Sequence, residues 1–159
     1  MIYILIAISA LGLDQISKYL VRHMMTVGEE HEIIGSFFKI AHVENGGAAF
    51  GMLAGNQLLL TALPAVIVVI AAFVIIRDIK KNELGPCVRA ALTMIASGGV
   101  GNMIDRAVRG TVTDMFSFSI FPPVFNVADI FVTLGCALLV FGIFYGSAGK
   151  DKETGNRKV

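Results

Sequence analysis

Apolar residues run through this chain in long stretches, and polar residues interrupt them only in compact clusters. Leu58 to Ile76 and Ile130 to Gly149 carry no charge, and both reach the roughly 20 residues that cross a hydrocarbon core. Ala90 to Ile104 is also uncharged, and it is long enough if Asp105 lies at the membrane surface. Met1 to Leu13 is short by itself but extends through Val21 if Asp14 faces protein. The pattern predicts an all-α membrane protein with four transmembrane helices near 2–21, 57–76, 89–106 and 127–147. They form one domain over 1–148, with a polar tail over 149–159. The first stretch lacks a basic n-region, so it reads as an uncleaved first helix. Between the first two helices, Ile33 to Val43 has strand-like composition and ends at Asn45-Gly46-Gly47, which predicts a small β-like loop region outside the bilayer.

Composition supports this picture. The chain is 55% hydrophobic and 16% charged, against about 25% charged in soluble domains. Net charge is only +1, and nothing in it points to nucleic acid. Its placement carries more information. Arg77, Lys80, Lys81 and Arg89 crowd the link between the second and third helices, and Lys150, Lys152, Arg157 and Lys158 crowd the tail. Short basic segments stay in the cytoplasm, so both termini are expected inside, with 22–56 and 107–126 facing outward. Lys18 and Arg22 at the outer end of the first helix run slightly against that rule. Cys87 and Cys136 fall at opposite depths, which argues against a disulfide. His23, His31 and His42 are scattered without ligand spacing, so no metal site is expected.

The polar clusters are costly in this setting. An ionised Asp at the centre of a spanning helix costs roughly 2.5–3.5 kcal/mol on insertion scales, and four carboxylates lie in or beside the apolar runs: Asp14, Asp105, Asp114 and Asp129. Asp14 and Lys18 are spaced i, i+4, which predicts an ion pair tying the first helix to its neighbours. The glycines at 98, 99 and 101 permit close helix approach. Asn102, Asp105 and Arg106 follow at spacings that predict one shared helix face. Asn126 reads as the N-cap of the fourth helix and Asp129 as its N3 partner. Asp114 sits on the other limb of the same connection, so the two carboxylates can meet near the outer surface. Two apposed carboxylates in a dry site share one proton. The ionised one can activate a water, and the protonated one can polarise a carbonyl and protonate a leaving nitrogen. The N-terminus of the fourth helix suits Asp129 to the ionised role.

The motifs DQISK, NGGAAFG, GGVGNMIDR, VTD and FNVAD, in this order across four helices, resemble those of lipoprotein signal peptidase, the signal peptidase II family. The resemblance covers nearly the whole chain from Asp14 onward. It implies an aspartic intramembrane endopeptidase of the bacterial inner membrane, with its active site near the outer face. Such enzymes cleave prolipoproteins just before a diacylglyceryl-modified cysteine, need no metal or cofactor, and are blocked by globomycin. It carries the catalytic pair onto Asp114 and Asp129. It gives Asp14, Asn45, Asn102, Asp105, Arg106 and Asn126 supporting or substrate-binding roles, and Lys18 joins them as the expected partner of Asp14. Two departures stand out: Thr113 where the family more often has Val, and Ile130 where a Ser often follows the final Asp. Asp105 is a rival to Asp114, which is preferred because no Arg adjoins it in sequence. A lid formed by 33–43 and 45–51 over a lateral lipid entry is a further expectation.

Two other function classes fit parts of the pattern. A proton- or ion-coupled transporter would spread carboxylates across the bilayer depth and show repeated halves, which this chain does not. An assembly subunit would pair its charges internally, and Asp114 has no cationic partner within its own motif.

Overall fold

The structure is a computed structural model and describes residues 1–47 and 57–155. The elements in chain order are α1 (Ile2–Met24), β1 (Glu30–Ile34), β2 (Phe38–Asn45), α2 (Gln57–Lys81), α3 (Pro86–Arg109), β3 (Val112–Phe118), β4 (Phe121–Phe125) and α4 (Val127–Gly155). All four expected helices are present among the described residues, each long and apolar enough to span a membrane. The chain is a multi-pass membrane protein of mostly-α fold. Each helix overruns its expected limits at one end or both. Their caps explain part of this: Pro86 occupies the first turn of α3, and Gly110, at φ 82°, closes it with its N–H on the Arg106 carbonyl.

The distribution of side chains is inverted relative to a soluble protein. On α1 the buried residues are Ala10, Asp14, Lys18 and Val21, a single stripe at helical spacing. Ile4, Leu5, Ile8 and Ile16 face outward, where lipid would lie. Lys18, Asn126, Thr113, Asp14 and Asp105 are among the largest fully buried side chains. The centre of the molecule is polar and its skin is oily.

α3 touches each of the other three helices, and its glycines set how closely. A Cβ on Gly98 would stand 2.5 Å from the Ala128 carbonyl oxygen of α4, and one on Gly101 would stand 2.5 Å from Asp14 Oδ2 of α1. Apolar burial drives little association inside lipid, so close backbone approach and polar contacts do that work.

The β region is larger than expected. Besides β1 and β2, the connection before α4 forms β3 and β4, giving a four-stranded antiparallel sheet in the order β1-β2-β3-β4. Val43 pairs with Asp114, Glu44 with Thr113 and Asn45 with Val112. Pro122 and Pro123 fall on β4, at the edge of this sheet, where a missing N–H costs no ladder bond on the open side. The sheet adjoins the end of the bundle where α1 and α3 finish and α4 begins. The basic α2–α3 link lies at the other end. There Asp78 clamps the turn, accepting from Glu83 N (2.8 Å), Leu84 N (2.7 Å) and Arg89 Nε (2.5 Å).

The Gly101 contact yields a test. Asp14 is held in place from several sides, so Gly101→Ala has nowhere to push it and should lose on the order of 1–3 kcal/mol. Thermal unfolding in detergent would read this as a clear fall in Tm. An unchanged Tm would mean that α1 and α3 tolerate separation.

Candidate active site

The site begins with a buried cation. Lys18 is fully buried, and its Nζ lies 2.9 Å from Asp14 Oδ2, 3.1 Å from Asp105 Oδ2 and 2.8 Å from Asn102 Oδ1. Three acceptors thus meet the three N–H groups of one ammonium. Asp14 Oδ1 also accepts from the Ala128 backbone N–H (2.9 Å), capping the N-terminus of α4 from another helix. Asp105 Oδ1 faces Arg22 at 3.4 Å, and Asp105 Oδ2 accepts from Thr113 N at 3.3 Å.

From this base a chain of amides runs to two further carboxylates. Asn102 accepts from Lys18, so its Nδ2 is left to donate to Asp129 Oδ1 at 2.8 Å. Asn126 accepts from Asp129 N (3.0 Å), so its Nδ2 donates to Asp114 Oδ1 (2.6 Å) and Asn102 Oδ1 (3.1 Å). Asp129 Oδ2 accepts in return from Asn126 N at 3.2 Å, completing the capping box. Asn45 accepts from Gly47 N (2.9 Å) and donates to Asp114 Oδ2 at 2.8 Å. Every amide orientation is therefore fixed by a second partner. Each of the four carboxyl oxygens of Asp114 and Asp129 receives one donor and keeps lone-pair capacity for substrate or a proton.

Both carboxylates line one cavity of about 580 Å³. Asn45, Asn102, Arg106 and Asn126 complete its polar end, and Ile120, Phe121, Pro123, Val124, Ile130 and Leu134 contribute apolar wall. Arg106 donates to the Gly47 carbonyl (3.3 Å) and lies within electrostatic reach of Asp129 and Asp114. Burial pushes the Asp114 carboxyl up to about 6; the neighbouring Asp129 charge adds to this, while hydrogen bonds from Asn45 and Asn126 oppose it. The arrangement sets two carboxyls, bridged by Asn126, beside the Arg106 guanidinium at the polar end of an apolar trough.

The structure brings all nine sequence-predicted residues into this one network. Asn102, Asp105 and Arg106 do not share a face as expected. Successive helical residues are about 100° apart, so Asp105 turns to Lys18 on α1 while Arg106 turns into the cavity. Asn102, lying between them in angle, touches both sides. The expected lid also differs. Among the described residues of the first outward segment, only Asn45 and Gly47 line the cavity, and residues 48–56 lie outside the described residues. The wall comes instead from β3, β4 and α4.

Sequence reasoning missed a second polar group on the other face of β2 and β3. Thr113 Oγ1 accepts from Arg22 (3.1 Å) and donates to Glu44 (2.9 Å), and Glu44 also holds Thr111 (2.5 Å) and His42 (3.0 Å). Burial alone would raise the Glu44 carboxyl, but bonds from Thr111, His42 and Thr113 hold it below its usual range. Arg22 was findable, since Asp14, Lys18 and Arg22 repeat every fourth residue. Glu44 and His42 gave no signal without the strand pairing. His23 and His31 bond elsewhere, to Tyr19 O (2.9 Å) and Glu29 (2.8 Å) respectively.

The chain is similar to known proteins over most of its length. Residues 6–145 match the family model described as signal peptidase (SPase) II. The lipoprotein signal peptidase of Brevibacillus brevis is 39% identical over 143 residues, 89% of this chain and 94% of that protein. That of Staphylococcus aureus is 32% identical over 154 residues, covering 94% and 93%. A solved bacterial membrane enzyme superposes with a TM-score of 0.82 at 30% identity, over 93% of this chain and 90% of the other.

The raised Asp114 carboxyl has a consequence for stability. A carboxylate with a folded pKa near 6, against 3.8 ordinarily, supports the fold below about pH 4, and that support is lost as pH rises through 6. Asp114→Asn cannot ionise, so its stability should gain on wild type by on the order of 3 kcal/mol between pH 4 and 7. Parallel unfolding measurements across that window would check it. A constant difference between the two proteins would count against a buried, raised Asp114.

Proposed function

The chain belongs to the signal peptidase II family, and we propose that it is an aspartic endopeptidase removing signal peptides from bacterial prolipoproteins. It would cut on the N-terminal side of a diacylglyceryl-modified cysteine. The observation that carries this reading is the pair Asp114 and Asp129, joined through Asn126 and lining one cavity.

The chemistry follows from the two environments. Asp129 caps α4, whose N-terminal dipole favours a carboxylate, and it takes a proton from water as the water oxygen attacks the scissile carbonyl carbon. Asp114, protonated below about pH 6, donates to the carbonyl oxygen. Collapse of the tetrahedral intermediate breaks the C–N bond, and the leaving nitrogen takes a proton from the pair. Arg106 stands beside the site as a fixed positive charge. Asn45, Asn102 and Asn126 orient the carboxyls, while Asp14, Lys18 and Asp105 hold the scaffold behind them. No step calls for a metal ion.

The setting fits the substrate. The site lies at the end of the bundle away from the basic α2–α3 link, which the positive-inside tendency keeps in the cytoplasm. On this reading both termini lie on the cytoplasmic side of the inner membrane, with the sheet and cavity at its outer face. The apolar trough along α4 suits a diacylglyceryl group arriving sideways from lipid. Globomycin, a cyclic peptide, is expected to compete for the same cavity.

Cleavage of a diacylglyceryl-modified precursor in nanodiscs tests the reading. Asp114→Asn and Asp129→Asn should each reduce kcat by about 10²–10⁴ while the precursor still binds. Asp105→Asn, whose carboxyl meets Lys18, Arg22 and Thr113 N rather than the cavity, should cost much less. The alkaline limb of kcat/KM should fall near pH 6. Abolition by Asp105→Asn with Asp114→Asn spared would sink the assignment of the pair.

A further inference from the structure

One polar group in the cavity takes no part in the network. Thr133 lies on the membrane-spanning part of α4, where it is exposed and lines the trough. It is the only hydroxyl-bearing residue among the described residues that line the cavity. Hydroxyls within spanning helices normally bond back to the carbonyl four residues earlier. Thr93 does so to Arg89 O at 2.8 Å, and Ser97 to Thr93 O at 2.7 Å. Thr133 makes no such bond, and no partner for it exists among the described residues. A free hydroxyl at hydrocarbon depth is unfavourable unless something from outside the chain satisfies it.

Position suggests what that is. Thr133 stands one helical turn beyond Asp129 on the same side of α4, about 6 Å further into the bilayer. Ile130 and Leu134 flank it, and both line the trough. A substrate whose scissile carbonyl rests at the carboxylates continues through its cysteine thioether to a glycerol carbon. The first acceptor along that path is an ester carbonyl.

We propose that the Thr133 hydroxyl donates a hydrogen bond to an ester carbonyl of the diacylglyceryl group, and so contributes to selecting the lipid-modified cysteine. This rests on the prolipoprotein reading above. The hydroxyl hydrogen goes to the ester oxygen, and no covalent bond changes. Bulk phospholipid carries the same carbonyl, so the bilayer must be silenced in the test.

The experiment pairs two precursors, one with a diacylglyceryl cysteine and one with its dialkyl ether counterpart, in nanodiscs of ether-linked lipid. Wild type should show a KM about fivefold higher for the ether precursor, the worth of one ordinary hydrogen bond. In Thr133→Val, a substitution of nearly equal volume, that ratio should collapse toward one, and Thr133→Ser should restore it. kcat should discriminate little between the precursors in any variant, because the contact is made in ground and transition states alike. Wild-type and Thr133→Val ratios that agree would overturn the inference while leaving the peptidase intact. An effect of Thr133→Val seen only in ester-linked lipid would assign the hydroxyl to bulk lipid and overturn it too. Wild type cleaving neither precursor would overturn the prolipoprotein reading, and this inference with it.

Discussion

A single ammonium group, that of Lys18, sets the orientation of much of what surrounds it. Its side chain is fully buried, so its three N–H groups must find acceptors within the protein, and they take Asp14, Asp105 and Asn102. The first two bind α1 to α3 and, through Ala128, to the start of α4. The third determines which end of the Asn102 amide faces Asp129. Removing one member of such a buried group costs about 3–5 kcal/mol, because the remaining charges are left unpaired. Stability and the polarity of the site therefore depend on the same few contacts.

Charge counting extends the argument. Lys18 and Arg22 balance Asp14 and Asp105, so the scaffold is neutral by itself. The cavity then holds Arg106 against Asp114 and Asp129. If both carboxylates were ionised, a low-dielectric site would carry net negative charge. With one shared proton it is neutral. The raised Asp114 carboxyl and the position of Arg106 are consistent with the same singly protonated state, which is the one a water-activating pair requires.

The helices were legible because apolar runs of bilayer length have few alternatives. The pairing of Asp14 with Lys18 and of Asn126 with Asp129 was legible because both are local spacings on a helix. Contacts set by the sheet were not. Asn45 meets Asp114 across 69 positions of sequence, and only the β2–β3 register brings them together. β4 was hidden by its two prolines, which argue against a strand except at an edge, where β4 lies. The split between Asp105 and Arg106 shows the limit of face arguments: three residues within one turn can still address two neighbours.

The two departures from the family pattern resolve differently once their surroundings are known. Thr113 is on the opposite side of β3 from Asp114, where its hydroxyl accepts from Arg22 and donates to Glu44. A Val there would leave those charged groups with one partner fewer, on a face the reaction does not use. Ile130 follows Asp129 and lines the cavity. It removes no donor that Asp129 depends on, since Asn102 Nδ2 and Asn126 N already hold the two carboxylate oxygens. In the proposed reaction, a hydroxyl at position 130 would compete for lone pairs that the attacking water must reach. An apolar neighbour leaves them open.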